Sequence, residues 1–323
     1  HQLADTFNKI DIHDAHGHIE WAKKLRKKLN IVGVLAAGID APVTMSKLAE
    51  FLKLPGVPSH ISEIVHYKSS FRDFCASNGI ETPGYKAFRI GEWDLFREHC
   101  DKIQTPFIIK NVDSSASRGT KIFYHRDPIE EIKIATQAAN FSKSKLFLVE
   151  SLWIGKECTV ETLFDINGNF HECFITDRLF NYESGYPIET GLVSPSQLSE
   201  DKQKNCFKLA KSVSKKLGIK IGAAKFDMIY TEKGPKIIEM TTRLSGGFDC
   251  QYLVPASLGL NVLGAAIVTA CGKEIPKDYL EPKFNKVSVS ASNWPKPGTI
   301  KRISGISEAK KIKGVEQIFF RKE

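Results

Sequence analysis

This sequence predicts a mixed α/β (α+β) fold in more than one lobe, and three observations carry that prediction. The chain has 323 residues, roughly two domains at about 150 residues each. A continuous apolar run at 31–37 precedes an amphipathic stretch at 43–52, the pattern of a buried parallel strand feeding a helix. Further on, two hairpin signals lie among helical stretches, at Ile166-Asn167-Gly168 and at Thr231-Glu-Lys-Gly-Pro235.

The elements follow in order. Ile31–Ala37 reads as a fully buried parallel strand and Val43–Leu52 as a helix stopped by Pro55-Gly56. Ser62–Ser77 carries Ile64, Val65, Phe71, Phe74 and Cys75 at helical spacing, and Gly79 ends it. Ile80-Glu-Thr-Pro83 leads out of this first unit. Residues 107–112 and 121–124 read as strands around the small-residue loop 113–120, and 128–141 as a helix with Pro128 in its first turn. Leu146–Leu152 is a buried strand, and 157–165 with 169–177 form the first hairpin. Asp201–Leu217 is an amphipathic helix closed by Gly218. Residues 223–230 and 236–242 form the second hairpin, and Pro255–Cys271 an apolar helix.

Composition excludes several classes. An apolar fraction of 42% with 26% charged residues rules out a disordered chain, a collagen-like fibre, a coiled-coil rod and a disulfide scaffold. No apolar run approaches the ~18 residues of a membrane helix; Leu258–Cys271 is broken by Gly259, Asn261 and Gly264. The net charge of +9 sits largely in lysine runs at 23–28, 208–216 and 310–313, which read as solvated helix faces. No aromatic residues alternate with them, which argues against a nucleic-acid partner. The seven cysteines are scattered and form no Cys-x-x-Cys. Their spacing suits a reducing compartment and a cytoplasmic location, without a zinc site or a signal peptide. The chain opens at His1 in mid-pattern, as expected of one cropped at its start.

Three constellations carry chemistry. With a three-residue loop Glu232-Lys233-Gly234, the second hairpin places Asp227 opposite Glu239 on one face. Two facing carboxylates repel, and a divalent cation that also takes phosphate oxygens resolves the repulsion. The alternatives are a solvent-facing pair or a pair bridged by Lys225, because a one-residue slip separates the faces. Next, Lys110 sits on a strand edge, followed by the loop Asp113-Ser114-Ser115-Ala116-Ser117-Arg118-Gly119-Thr120. Such a loop can cradle phosphates with its N–H groups while the lysine adds charge; the alternative is a plain surface loop. Neither a Walker-type nor a dinucleotide glycine motif is present. Third, Arg243-Leu-Ser245-Gly246-Gly247 joins an arginine, which matches carboxylate or phosphate, to glycines that let backbone approach a ligand. His13, His16 and His18 invite a metal reading, but no partner cluster accompanies them.

Taken in order, these pieces resemble the ATP-grasp superfamily of ATP-dependent carboxylate–amine ligases, from about residue 31 to 320. The carriers are Lys68 in a helix after Leu54-Pro-Gly56, Ile80-Glu-Thr-Pro83, Ile108-Ile-Lys110 and the serine/glycine loop. Val149-Glu150-Ser151-Leu152-Trp-Ile-Gly-Lys-Glu157, Phe226-Asp227 and Ile237-Ile-Glu239-Met-Thr241-Thr-Arg243 complete the set. The resemblance implies an N-terminal parallel α/β domain at 1–82, a small lobe with a phosphate lid at 83–154 and a large lobe at 155–323, the two lobes clamping ATP. It implies Lys68 and Lys110 on the phosphates, Ser114, Ser115, Ser117 and Gly119 in the lid, Glu150, Ser151 and Leu152 along the adenine, and Glu157 on the ribose. Asp227 and Glu239 would bind Mg2+ (or Mn2+), with Thr241 where the family usually has Asn. Arg243 and Lys110 would be catalytic. Arg178, Glu189, Ser245, Gly246 and Gly247 are the candidate substrate side with Arg243.

The implied reaction activates a carboxylate as an acyl phosphate and joins it to an amine, releasing ADP and phosphate. The partners are ATP, a small carboxylate and an amine, with a homodimer left open. The alternatives are a carboxylase or carbamoyl-phosphate-type enzyme, and an ATP-binding module without turnover.

Overall fold

In a computed structural model, residues 4–113, 117–292 and 298–319 are described. The expected fold class holds, with two antiparallel sheets and helices on them. The N-terminal stretch is helical: α1 (Ala15–Leu25), α2 (Pro42–Leu52), α3 (Ser59–His66) and α4 (Lys68–Ser77).

The strand expected at 31–37 does not join a sheet. Its single ladder contact is an isolated parallel bridge from Ala37 to Leu244, and of the run only Ala36 is buried. Apolar content alone does not make a strand without a neighbour to pair with. The helix expected over 62–77 is two helices, because Tyr67 is extended at φ −88°, ψ 111°. That break makes Lys68 the first residue of α4.

The four-stranded sheet has the order β1 (Tyr85–Arg89), β4 (Leu146–Ser151), β2 (Phe107–Asn111), β3 (Lys121–Phe123). Helices α5 (Trp93–Ile103) and α6 (Pro128–Phe141) cover it around a core of Phe88, Phe96, Phe107, Ile134 and Phe147. The α6 start reads directly from sequence: Asp127 accepts a hydrogen bond from the Glu130 N–H and Pro128 follows.

The six-stranded sheet runs β10 (Ser288–Ala291), β7 (Ile188–Ser194), β6 (Phe170–Asn181), β5 (Lys156–Phe164), β8 (Gly222–Thr231), β9 (Gly234–Thr241). Alternation decides its faces. Ala224, Phe226 and Met228 of β8 enter one core with Val160 and with Phe207 and Val213 of α7 (Glu200–Leu217). Ile61, Val65, Phe71 and Cys75 of α3 and α4 share that core. Lys225 and Asp227 therefore point to the other face. The apolar helix expected at 255–271 is interrupted: a π-helical turn at Asp249–Leu253 leads into α8 (Val254–Leu258). Gly259, at φ +72°, separates α8 from α9 (Val262–Ala270). Residues up to Ala291 form one compact unit. The second, from Ser292, holds the short helix α10 (Ile306–Ala309).

Candidate nucleotide and metal site

The β8–β9 pairing places Asp227 opposite Glu239 and Lys225 opposite Thr241. The turn is shorter than the sequence suggests, since Thr231 pairs with Gly234, leaving two residues between them. Continued unchanged, that register would set Asp227 against Ile238. A bulge between Asp227 and Met228 absorbs one residue of β9 and brings Glu239 into place. The expected pair forms, through a tighter turn and a bulge that offset one another.

Asp227 is 1% exposed. Lys225 Nζ lies 2.5 Å from Oδ2, Arg178 3.2 Å from Oδ1, and the Thr159 hydroxyl donates to Oδ1 at 3.0 Å. Burial raises the proton affinity of Asp227, but the Arg178 and Lys225 charges outweigh it and hold the carboxyl well below its usual value. The Lys225 bridge weighed from sequence is thus present on Asp227, while Glu239 instead faces Lys68 at 3.8 Å. The side chain of Glu239 is 43% exposed. The Thr241 hydroxyl oxygen is buried with no hydrogen-bond partner. Two facing carboxylates and an unpartnered hydroxyl on one face fit an octahedral Mg2+ that takes its other ligands from phosphate and water. Among the described residues no group of three or more His, Cys, Asp or Glu is arranged to hold a metal, so such an ion would depend on those added oxygens.

Lys110 is the penultimate residue of β2 and is 5% exposed. Its Nζ lies 2.5 Å from Glu150 Oε2. Burial lowers the Lys110 proton affinity against the pull of Glu150. Burial raises that of Glu150, but Arg72 and Lys110 hold it at about 2. The Glu150 carboxylate, expected along the adenine, is therefore engaged in holding Lys110. Arg72 was not singled out from the sequence. Its signal was a charge beside the apolar stripe Phe71–Cys75, four residues after Lys68.

The other expected residues divide into groups. The Ser151 hydroxyl accepts from the Gly84 N–H at 2.9 Å, and Leu152 N–H donates to the Pro106 carbonyl at 3.1 Å. Both pin the segment after β4. Glu157 accepts from the Tyr182 hydroxyl and lies 3.7 Å from Arg178; burial raises its proton affinity against Arg178. Arg178 also pairs with Glu189 at 3.1 Å, so three carboxylates surround its guanidinium. Ser114 and Ser115 lie outside the described residues. Ser117 is exposed, and a Cβ on Gly119, at φ +63°, would meet the Ala138 backbone at 2.8 Å. Gly119 is thereby required for packing against α6.

Arg243 follows β9. One of its terminal nitrogens donates to the Leu244 carbonyl at 2.9 Å, another lies 3.5 Å from Asp40, and Nε is buried without a partner. Ser245 N–H donates to Glu161 Oε2 at 2.8 Å. Glu161 and Asp249 are 0% and 1% exposed, and burial pushes each up to about 7. Gly246 and Gly247 follow, Gly247 at φ +68°. Lys225 and Arg178 at Asp227 and Lys68 at Glu239, with Lys110 held by Glu150 and Arg243 two residues after β9, supply the cations suited to a polyphosphate and a divalent ion. Glu161 and Asp249 escaped the sequence reading because nothing local marks a glutamate in a strand as buried.

Comparison with known proteins bears on the domain and the fold. Residues 103–251 match the family model described as ATP-grasp domain. A curated relative, the D-alanine–D-alanine ligase of Francisella philomiragia, is 31% identical over 160 residues, covering 49% of this chain and 50% of that protein. The protein y4rH of Sinorhizobium fredii is 23% identical over 321 residues, 96% of this chain. The chain spans 63% and 50% of the lengths of these two relatives. Among solved structures, L-amino acid ligase from Bacillus licheniformis superposes with a TM-score of 0.74 at 23% identity, over 92% of this chain and 71% of that one. The resemblance read from the ordered motifs holds for the domain and for the fold. Among the described residues no helix is long and apolar enough to cross a membrane.

Proposed function

We propose, from the match of residues 103–251 to the ATP-grasp domain, that this chain is an ATP-dependent ligase that phosphorylates a small carboxylate and joins it to an amine. The observation that carries the reading is Asp227 opposite Glu239, bordered by Lys68 at 3.8 Å from Glu239. Lys110, held by Glu150, and Lys68 bind the phosphates of ATP. Ser151 and Leu152 position the hinge along the adenine, and Glu157 receives the ribose hydroxyls. Magnesium held by Asp227 and Glu239, with the Thr241 hydroxyl, would neutralise phosphate charge. Arg243 faces the transferring phosphoryl group and the substrate carboxylate, since its Nε has an unused donor. The γ-phosphoryl group passes to the carboxylate, giving an acyl phosphate and ADP. The amine then attacks the acyl carbon and phosphate leaves. The protein contributes positioning, charge and exclusion of water. We place the substrate side at Arg178, Glu189 and Ser245–Gly247, with the lid at 113–120. We also propose the division 1–82, 83–154 and 155–323 as the working lobes.

The test is ADP release from MgATP across amino acids, small carboxylates and bicarbonate, with Arg243→Ala as the blank. Stimulation by one carboxylate, with an amine incorporated and the signal lost in the variant, is the expected result. Stimulation by bicarbonate alone would replace the reading with a carboxylase. ATP binding without turnover in any mixture would replace it with a non-catalytic nucleotide module.

A further inference from the structure

Arg72 is the most deeply buried cation of the site, at 2% exposure. Its guanidinium makes four hydrogen bonds. Nε donates to Glu150 Oε1 at 2.7 Å and one terminal nitrogen to Oε2 at 3.4 Å. The same nitrogen donates to the Ile238 carbonyl at 2.6 Å, and the other terminal nitrogen to the Ile237 carbonyl at 3.0 Å. Successive carbonyls of a regular strand point to opposite edges. Here Ile237 and Ile238 both reach one guanidinium, at the bulge that brings Glu239 opposite Asp227.

We infer that Arg72 is a positioning residue that couples the phosphate-binding lysine to the metal-binding carboxylates. The inference rests on the ATP-dependent function proposed above. One arm of the guanidinium holds Glu150, and through it Lys110 at 2.5 Å, on the four-stranded sheet. The other arm holds the β9 bulge, and through it the register of Glu239, on the six-stranded sheet. The same helix presents Lys68, one turn earlier, to Glu239. Lysine cannot replace this fork, because an ammonium has no planar pair of donor edges.

The experiment measures ADP affinity by calorimetry with and without magnesium, together with thermal melting, for the full chain and three variants. Arg72→Lys tests the coupling, and Glu150→Gln tests the lysine arm. Val262→Ala, in the separate core under α9 that holds no residue of α4, β2, β4 or β9, controls for lost stability. Arg72→Lys is expected to weaken metal-free ADP binding about tenfold and to lose most of the magnesium enhancement, the scale seen when a supporting partner of a ligand is removed. Glu150→Gln is expected to weaken metal-free binding while keeping more of that enhancement than Arg72→Lys does. Val262→Ala is expected to melt earlier with both constants unchanged. If Arg72→Lys merely melts earlier, or if only one of its two constants moves, the coupling is wrong. If Arg72→Lys does not fold, equal loss of both constants in Glu150→Gln would overturn the separation into two arms. Failure of the unaltered chain to bind ADP would instead sink the functional reading on which the inference rests.

Discussion

Asp227 and Glu161 lie on neighbouring strands of the same sheet and are almost equally buried, at 1% and 0% exposure, yet they hold protons very differently. Lys225, Arg178 and Thr159 converge on Asp227 and keep it ionised. Glu161 has the Ser245 N–H on one oxygen and no hydrogen-bond partner on the other. Beside it Asp249, also raised to about 7, disfavours a second negative charge. Burial sets the cost of charge in both places, and the partners decide whether the charge is kept. The acid at 227 stays charged at neutral pH, as the proposed metal role requires. The pair at 161 and 249 instead holds the turn after Arg243 in place and stays partly protonated.

The largest effect should come from removing the charge at Asp227. Asp227→Asn is expected to lower magnesium-dependent ADP release at least about 100-fold. It leaves Lys225 and Arg178 without their shared carboxylate, which should cost about 3–5 kcal/mol in denaturant unfolding. Unchanged stability would mean that those cations find other partners and that the comparison overstates their convergence.

The two acids should also pull stability in opposite pH directions. Asp227 and Glu150 have depressed values, so their contribution is present above the unfolded carboxylate range and is lost as pH falls through it. Glu161 is raised from 4.5 to about 7. Its contribution is complete below the unfolded value and is lost as pH rises toward the folded one. That loss is about 3 kcal/mol at roughly 1.36 kcal/mol per unit. Glu161→Gln, which keeps an acceptor for Ser245, should flatten the loss above pH 5 in melting curves. A slope equal to that of the unaltered chain would show that Asp249 alone carries it.

The smallest effect concerns Thr241. Thr241→Val removes the unpartnered hydroxyl and should raise the magnesium concentration for half-maximal turnover about threefold to tenfold, the worth of one weak polar contact. Thr241→Asn should lower it. If neither variant moves the midpoint, the hydroxyl does not reach the ion.

Local pattern made much of this legible. The 128–141 helix appears with its bounds as read, from Asp127, Pro128 and the apolar spacing. The facing of Asp227 and Glu239 was also legible, although the two-residue turn and the bulge that produce it were not. The run at 31–37 misled because its apolar content matches a buried strand, while its neighbours offer it only the bridge at Leu244.

The sequence by itself determined the alternating faces of the hairpin strands, the start and stop of the 128–141 helix, and the ordered set of charged residues. These depend on neighbours two to four positions away. Tertiary structure alone decided that Arg72 reaches Glu150 and the Ile238 carbonyl. It alone decided that Asp227 keeps its charge while Glu161 is pushed up to about 7. Those outcomes depend on burial and on charges brought in from remote segments, and a residue's electrostatic surroundings exist only once the chain has packed around it.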